Sequence, residues 1–398
     1  MPVWHATTKP WVQAGKLIVL GVTQEQHPER CRLFAQWKQF DWPILHDPIN
    51  VLGSSAVPLF VAIDEHGIVR STQPNPKTLA DEFVNKSFPD DAKPGAVSIT
   101  PMYPPKWEDL KAAAEKQSSG AVWRSYANAL ALWGGDKRVG DAIAAYRKAS
   151  ALDARDGASR FRLGVCLRRR SELPARQPED FRDAVEAWGA ALDLDPNQYI
   201  WRRRIQQYGP RLDKPYPFYD WVSEAETAIR TRGEQPVPLP IRPDGSEIAG
   251  PTKQFAIEKK TAKNPDPNGR VTRDTEAVSV EVVTVPTRVK PGESVRVHLV
   301  FRVKPGKKSH WNNEADALQL WVEGANGVTV SERLIRAEQP KEAVTDEERR
   351  VGFEVKIPAD ATAEITLPVF ALYHICDDIG GQCRFLRLDC TVELKLKK

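Results

Sequence analysis

The apolar pattern of this 398-residue chain changes its period twice, and that constrains the fold more than any single motif. Between residues 107 and 232 apolar side chains return every three or four positions, as on one face of a helix. From Ala277 onward they alternate, as along strands that bury one face. Ahead of Phe88 the two patterns interleave, which is the mark of an α/β module. Many of the 32 prolines gather between these stretches and set residues 89–106 and 233–276 apart as linkers. The expectation is a multidomain protein: an α/β module at 1–88, an α-helical region at 107–232 and an all-β domain at 277–398.

Composition narrows the function classes. A hydrophobic share of 41% supplies packed cores. The net charge of +4 is small, and no dense basic stripe meets stacking aromatics, so nucleic acid is not an expected partner. The longest apolar runs, Leu17–Val22 and Val57–Ile63, fall far short of the roughly 18 residues a membrane span needs, so no span is expected. The opening MPVWHATTKP carries no basic stretch followed by an apolar one, as a signal peptide would.

In the first module, Val3–Ala14 reads as a helix stopped by Gly15, and Lys16–Thr23 as a strand buried on both faces. Pro28–Phe40 follows as a helix with Cys31, Phe34, Ala35 and Trp37 at helical spacing. Val57–Asp64 and Ile68–Thr72 flank the turn Glu65-His66-Gly67, and Lys77–Phe88 closes the module as a helix. This order, the run KLIVLGVTQEQHPERCRLFAQW, and Ala56–Asp64 with its following turn resemble the thioredoxin-like redoxin family. The resemblance implies a cis bond at Val57–Pro58, with Pro58 facing the active-site cysteines. It also implies a Cys-x-x-Cys at the start of the first helix. With Pro10 as the family's kinking proline, the two cysteine slots fall on Pro2 and His5, and the central strand before them is missing. The module as given is therefore expected to be inactive: either a degenerate scaffold, or one whose true start lies upstream, together with any signal peptide. Nothing beside Cys31 lowers a thiol pKa, so it reads as a packed thiol rather than a resolving one.

An internal repeat marks the helical region. Ala142, Tyr146, Ala149, Leu152 and Asp153 recur 42 residues later as Ala184, Trp188, Ala191, Leu194 and Asp195. Each copy follows a matching helix, with Trp123, Tyr126, Ala127 and Leu130 in one and Leu163, Gly164 and Leu167 in the other. Small residues at the crossing and aromatics beside them resemble tetratricopeptide repeats. That resemblance implies a groove for a peptide or partner protein, to which Arg168, Arg169, Arg202 and Arg203 would give a basic wall. The alternative is an ordinary solvated helix face. Cys166 reads as core.

The last domain offers strands at Val278–Val285, Ser294–Val303, Ala317–Val322, Val351–Ile357, Glu364–Ile375 and Phe385–Leu396, the pattern of an immunoglobulin-like sandwich. Three of the five cysteines, Cys376, Cys383 and Cys390, lie here. Cys376 ends one strand, Cys383 begins the next, and Gly380-Gly381 folds the loop back, so a disulfide across the hairpin mouth is feasible. Cys390, seven residues on, falls on the opposite face. Two thiols and one histidine do not complete a tetrahedral shell, so neither a metal nor a cofactor is expected.

Arg288–Glu293, His310-Trp311-Asn312-Asn313 and Tyr373–Cys383 give this domain a resemblance to the amino-terminal domain of the thiol:disulfide interchange protein DsbD. It implies that Cys376 and Cys383 shuttle between dithiol and disulfide with a thioredoxin-like or other redox protein, with His374 and Asp377 tuning the thiolate. A redox-associated binding and relay protein is therefore the expected function. The alternatives are an N-terminally truncated thioredoxin- or peroxiredoxin-like oxidoreductase, and a non-catalytic scaffold with a structural disulfide. The compartment is expected to be periplasmic or otherwise extracytoplasmic if a signal peptide lies upstream, and cytoplasmic otherwise.

Overall fold

A computed structural model describes residues 1–91, 106–210, 218–243, 247, 262–304, 308–324, 327–377 and 381–397. Helices and several antiparallel sheets divide into two compact units that cut across the linear order. The first comprises Met1–Pro174, Ala190–Arg202 and Trp221–Arg242; the second comprises Ala175–Gly189, Arg203–Asp220 and Pro243–Lys398.

In the first unit the chain runs α1 (Pro2–Gln13), β1 (Gly21–Thr23), α2 (Pro28–Lys38), β2 (Ile44–His46), β3 (Ala62–Ile63) and β4 (Val69–Ser71). Then come α3 (Trp107–Gln117), α4 (Gly120–Trp133), α5 (Val139–Leu152) and α6 (Gly157–Ser171). Helices α7 (Asp180–Leu194) and α8 (Tyr199–Gln206) are divided between the units, and α9 (Val222–Thr231) belongs to the first. Strand β1 pairs in parallel with β2, and β3 antiparallel with β4, as two separate sheets. The long strands expected at 16–23 and 57–64 thus form ladders only at their C-terminal ends. Ile18, Leu20 and Val22, and likewise Leu59, Val61 and Ile63, are exposed at every second position. A strand extends its ladder only where a neighbour offers paired N–H and C=O groups. The Val57–Pro58 bond is cis. In place of the helix expected at 77–88 there is one π-helical turn, Ala80–Val84.

The helices begin where side chains satisfy their free N–H groups. Ser119 accepts from Val122 N at the start of α4, and Asp156 accepts from Ser159 N at the start of α6 while pairing with Arg124 at 2.6 Å. Gly120 lets α4 start against the end of α5, since a Cβ there would meet Asp153 at 2.9 Å. Matched positions of the repeat are buried in both copies: Ala142, Tyr146 and Ala149, then Ala184, Trp188 and Ala191.

Residues before Phe88 pack directly on these helices. Gln26 donates to Val165 O at 3.2 Å, and Arg162 donates to the carbonyls of Ile49 and Asn50 at 3.0 and 3.1 Å. His27 Nε2 lies 3.0 Å from Glu172. Burial opposes charge on this imidazole, but hydrogen bonds to Glu172 and Glu25 outweigh it and raise the pKa. A raised histidine pKa contributes stability that is full below the unfolded value of about 6.5 and is lost as pH rises through the folded value. The denaturation midpoint is therefore expected to fall as pH rises above about 6.5, and the fall to shrink in His27→Gln. An unchanged pH profile in that variant would assign the dependence elsewhere.

The second unit holds β5 (Val278–Val285), β6 (Ser294–Val303), β7 (Ser309–Asn312), β8 (Gln319–Val322), β9 (Thr329–Val330), β10 (Leu334–Arg336), β11 (Val344–Thr345), β12 (Arg349–Lys356), β13 (Ile365–Asp377) and β14 (Gln382–Leu394). One sheet runs β10-β8-β13-β7-β11 with β14 on β13, and the other runs β5-β6-β12-β9. Their inward side chains share one core. Leu299, Phe301 and Phe353 enter it from the smaller sheet, Trp311, Leu320, Tyr373 and Ile375 from the larger. Gly292 takes φ 81° in the turn expected at Lys290-Pro291-Gly292; its counterpart at Lys304-Pro305-Gly306 lies largely outside the described residues.

Part of the segment read as a linker belongs to this unit. Thr272 O accepts from Arg387 N at 2.9 Å and Asp274 N donates to Arg387 O at 2.7 Å. Ala262 and Val271 pack on Trp321, Phe370 and Leu372, outside the main core.

Candidate functional site

Strands β13 and β14 form a hairpin of 13 residues a side, and its register sets the site. Odd-numbered residues of β13 and even-numbered residues of β14 enter the core, so the opposite set faces outward. Three outward pairs follow one another toward the turn: Leu372 with Arg387, His374 with Phe385, and Cys376 with Cys383. The last pair is joined by a disulfide across a Cα separation of 4.0 Å.

The two cysteines differ in exposure. Cys376 lies inside the sheet, between Cys383 on β14 and His310 on β7, and is 7% exposed. Cys383 is exposed. Beside the bridge, the Asp377 carboxylate accepts from Ser309 Oγ at 2.5 Å and from Arg384 at 2.8 Å, which ties β7, β13 and β14 together at this end. One pleat away, His374 and Phe385 stack with centroids 4.5 Å apart. Burial holds the His374 imidazole below its ordinary pKa, so the ring is uncharged at neutral pH. Beneath, Trp311 meets Tyr373 edge-on at 5.6 Å, and the Tyr373 hydroxyl donates to Asp274 at 2.5 Å.

The structure therefore gathers Cys376, Cys383, His374 and Asp377 at one end of one hairpin. Ser309, Arg384 and Phe385 join them without having been singled out from the sequence. Their signal was positional: Arg384 adjoins Cys383, and Phe385 shares its face two residues on.

The other candidates lie elsewhere. Pro58 is in the first unit. Arg168 is buried and pairs with Glu172 at 2.6 Å, whereas Arg169 pairs with Asp136 at 2.7 Å on the surface. Arg202 donates to Pro196 O, and Arg203 lies 4.0 Å over the Phe218 ring. The remaining thiols are subdued by burial, which pushes Cys166 and Cys390 up to about 12 and raises Cys31 against a hydrogen bond with Thr23.

No family model matches the chain, and no curated protein matches it. Among solved structures, similarity is weak. The sporulation control protein Spo0M from Bacillus subtilis aligns at 14% identity and TM-score 0.17, over 31% of this chain and 51% of that one. The chain thus spans about half of Spo0M's length. AvmM, described as catalysing macrocyclization in alchivemycin A biosynthesis, aligns at 12% identity and TM-score 0.19 over 31% and 90%. The bacterial hydrophobin BslA aligns at 12% identity and TM-score 0.17 over 31% and 98%. Likeness at this level carries no argument. Among the described residues, no helix is long and apolar enough to cross a membrane.

Proposed function

We propose that this protein is a thiol–disulfide relay and binding protein whose exchanging pair is Cys376 and Cys383. The observation that carries the reading is the bridge between in-register strand ends, with Cys383 an exposed residue and Cys376 a buried one. A partner thiolate attacks Cys383 Sγ, the Cys376–Cys383 bond breaks, and Cys376 leaves with the electron pair and takes a proton. The partner's second thiolate then attacks its own sulfur in the mixed disulfide and releases Cys383. Two electrons and two protons have passed to this chain, the partner is oxidised, and the reverse sequence hands them on. His374 and Asp377 act here through their surroundings: the first as an uncharged ring on the same face, the second as the acceptor that holds Ser309 and Arg384.

In this reading residues 277–398 are an immunoglobulin-like sandwich akin to the amino-terminal domain of DsbD, supported by two sheets around one core. Residues 107–232 are a tetratricopeptide-like partner-binding region, supported by the equal burial of the repeated positions. Residues 1–88 are a thioredoxin-like module without a Cys-x-x-Cys, supported by a parallel strand pair joined through a helix. The redox partner in this reading is a thioredoxin-like or other redox protein.

The test is the midpoint potential of the pair, from thiol counts after equilibration in graded dithiothreitol buffers. A relay requires a value above about −300 mV. A lower value makes the bridge a structural staple and ends the relay reading.

A further inference from the structure

The outward row on β13 and β14 is covered at one end and open at the other. Leu372 is buried beneath Ala262 and Val271, and the Arg387 guanidinium lies 3.7 Å over Phe370. Among the described residues the next pair, His374 and Phe385, carries no such cover: Phe385 is 44% exposed although its ring is stacked on the imidazole. An exposed, backed aromatic therefore stands one pleat along the strand, about 7 Å of backbone, from the exposed residue Cys383. Neighbouring residues of a peptide sit 3.8 Å apart at Cα, so a side chain next to an incoming cysteine reaches such a platform while the thiol reaches the disulfide. Asp377 and Arg384, on the other side, are paired with each other, and the Asp316 carboxylate acts on His374 without overcoming the effect of burial.

Resting on the exchange reading above, we propose that the His374–Phe385 stack selects thiol partners, favouring a polypeptide cysteine flanked by an aromatic residue. The occupant is that aromatic ring, laid against Phe385 as the sulfur–sulfur bond forms at Cys383. Burial keeps His374 neutral, so the platform attracts by packing and ring geometry rather than by charge.

Two blocked tripeptide thiols, Phe-Cys-Gly and Gly-Cys-Gly, serve as probes, compared at equal thiolate concentration against the oxidised full chain. The wild type is expected to be attacked faster by Phe-Cys-Gly, by about 2- to 12-fold, the range that one aromatic pair supports. Phe385→Ala removes the preference, so that the two peptides open its bridge at equal rates, and Phe385→Leu, which keeps an apolar side chain there, guards against a folding defect. Equal rates for both peptides on the wild type, or a preference that survives in Phe385→Ala, overturn the selection and leave exchange intact. Failure of both peptides and of dithiothreitol to open the bridge in the folded chain overturns the exchange reading itself.

Discussion

In a Cys376→Ser variant the remaining Cys383 is expected to be alkylated by iodoacetamide about tenfold faster, or more, than Cys376 in a Cys383→Ser variant. The asymmetry follows from the strand order. Cys376 is enclosed by a strand on each side, and its burial blocks approach. Cys383 lies on the outermost strand with its side chain in solvent. The same difference dictates which single-cysteine variant captures a partner: Cys376→Ser accumulates a mixed disulfide, and Cys383→Ser does not. Both lose two-electron exchange completely, since neither can close the bridge. Equal alkylation of the two thiols would remove the ordered route, attack at Cys383 with Cys376 leaving. Protection of both in the folded chain would make the hairpin mouth a closed structural feature.

The site was legible where the sequence carries a period. Long strands set successive side chains on alternate faces, so the shared face of Cys376 and Cys383 and the inward turn of Cys390 follow from counting. Repeated helices were legible for the same reason, through Tyr146 and Trp188 at matched positions. Strands of two or three residues, such as β9, β10 and β11, have no period to read. The front strands were overextended because an apolar run reports a wish to be buried, not the presence of a neighbour to pair with; Ile18 and Leu59 are exposed. Burial of Arg168 also escaped composition. It depends on Glu172 one turn along the helix. The strap at 262–274 reads as linker because its hold on the sheet rests on two small apolar side chains, backbone hydrogen bonds and polar pairs, Asp266 with Arg387, Arg273 with Asp389 and Asp274 with Tyr373, which carry no period.

That strap leads to the second large expected effect. Asp274 ends it, and its carboxylate accepts from the Tyr373 hydroxyl at 2.5 Å, from Ala277 N and Val278 N at 2.8 Å each, and from Glu276 N at 2.9 Å. Asp274→Ala strands a buried hydroxyl and buried backbone donors at once, each costing about 1–3 kcal/mol, so a loss of about 3–5 kcal/mol in the unfolding free energy is expected. Tyr373→Phe removes only one donor and leaves the three N–H bonds in place, so it should cost about 1 kcal/mol. Burial opposes charge on Asp274, but the Ala277 N–H and the Tyr373 hydroxyl outweigh it and hold the pKa below the ordinary value. A depressed carboxylate pKa contributes stability above about pH 4 that is lost as pH falls through the folded value. Acid sensitivity should accordingly shrink in Asp274→Ala, and denaturant melts across that range measure it. Because Tyr373 points inward while Cys376 and Cys383 point outward, the same variant separates frame from chemistry. A weakened fold with an unchanged exchange rate per folded molecule locates the reactivity in the outward face alone. A slowed rate would mean that the tyrosine–aspartate bond also positions the bridge.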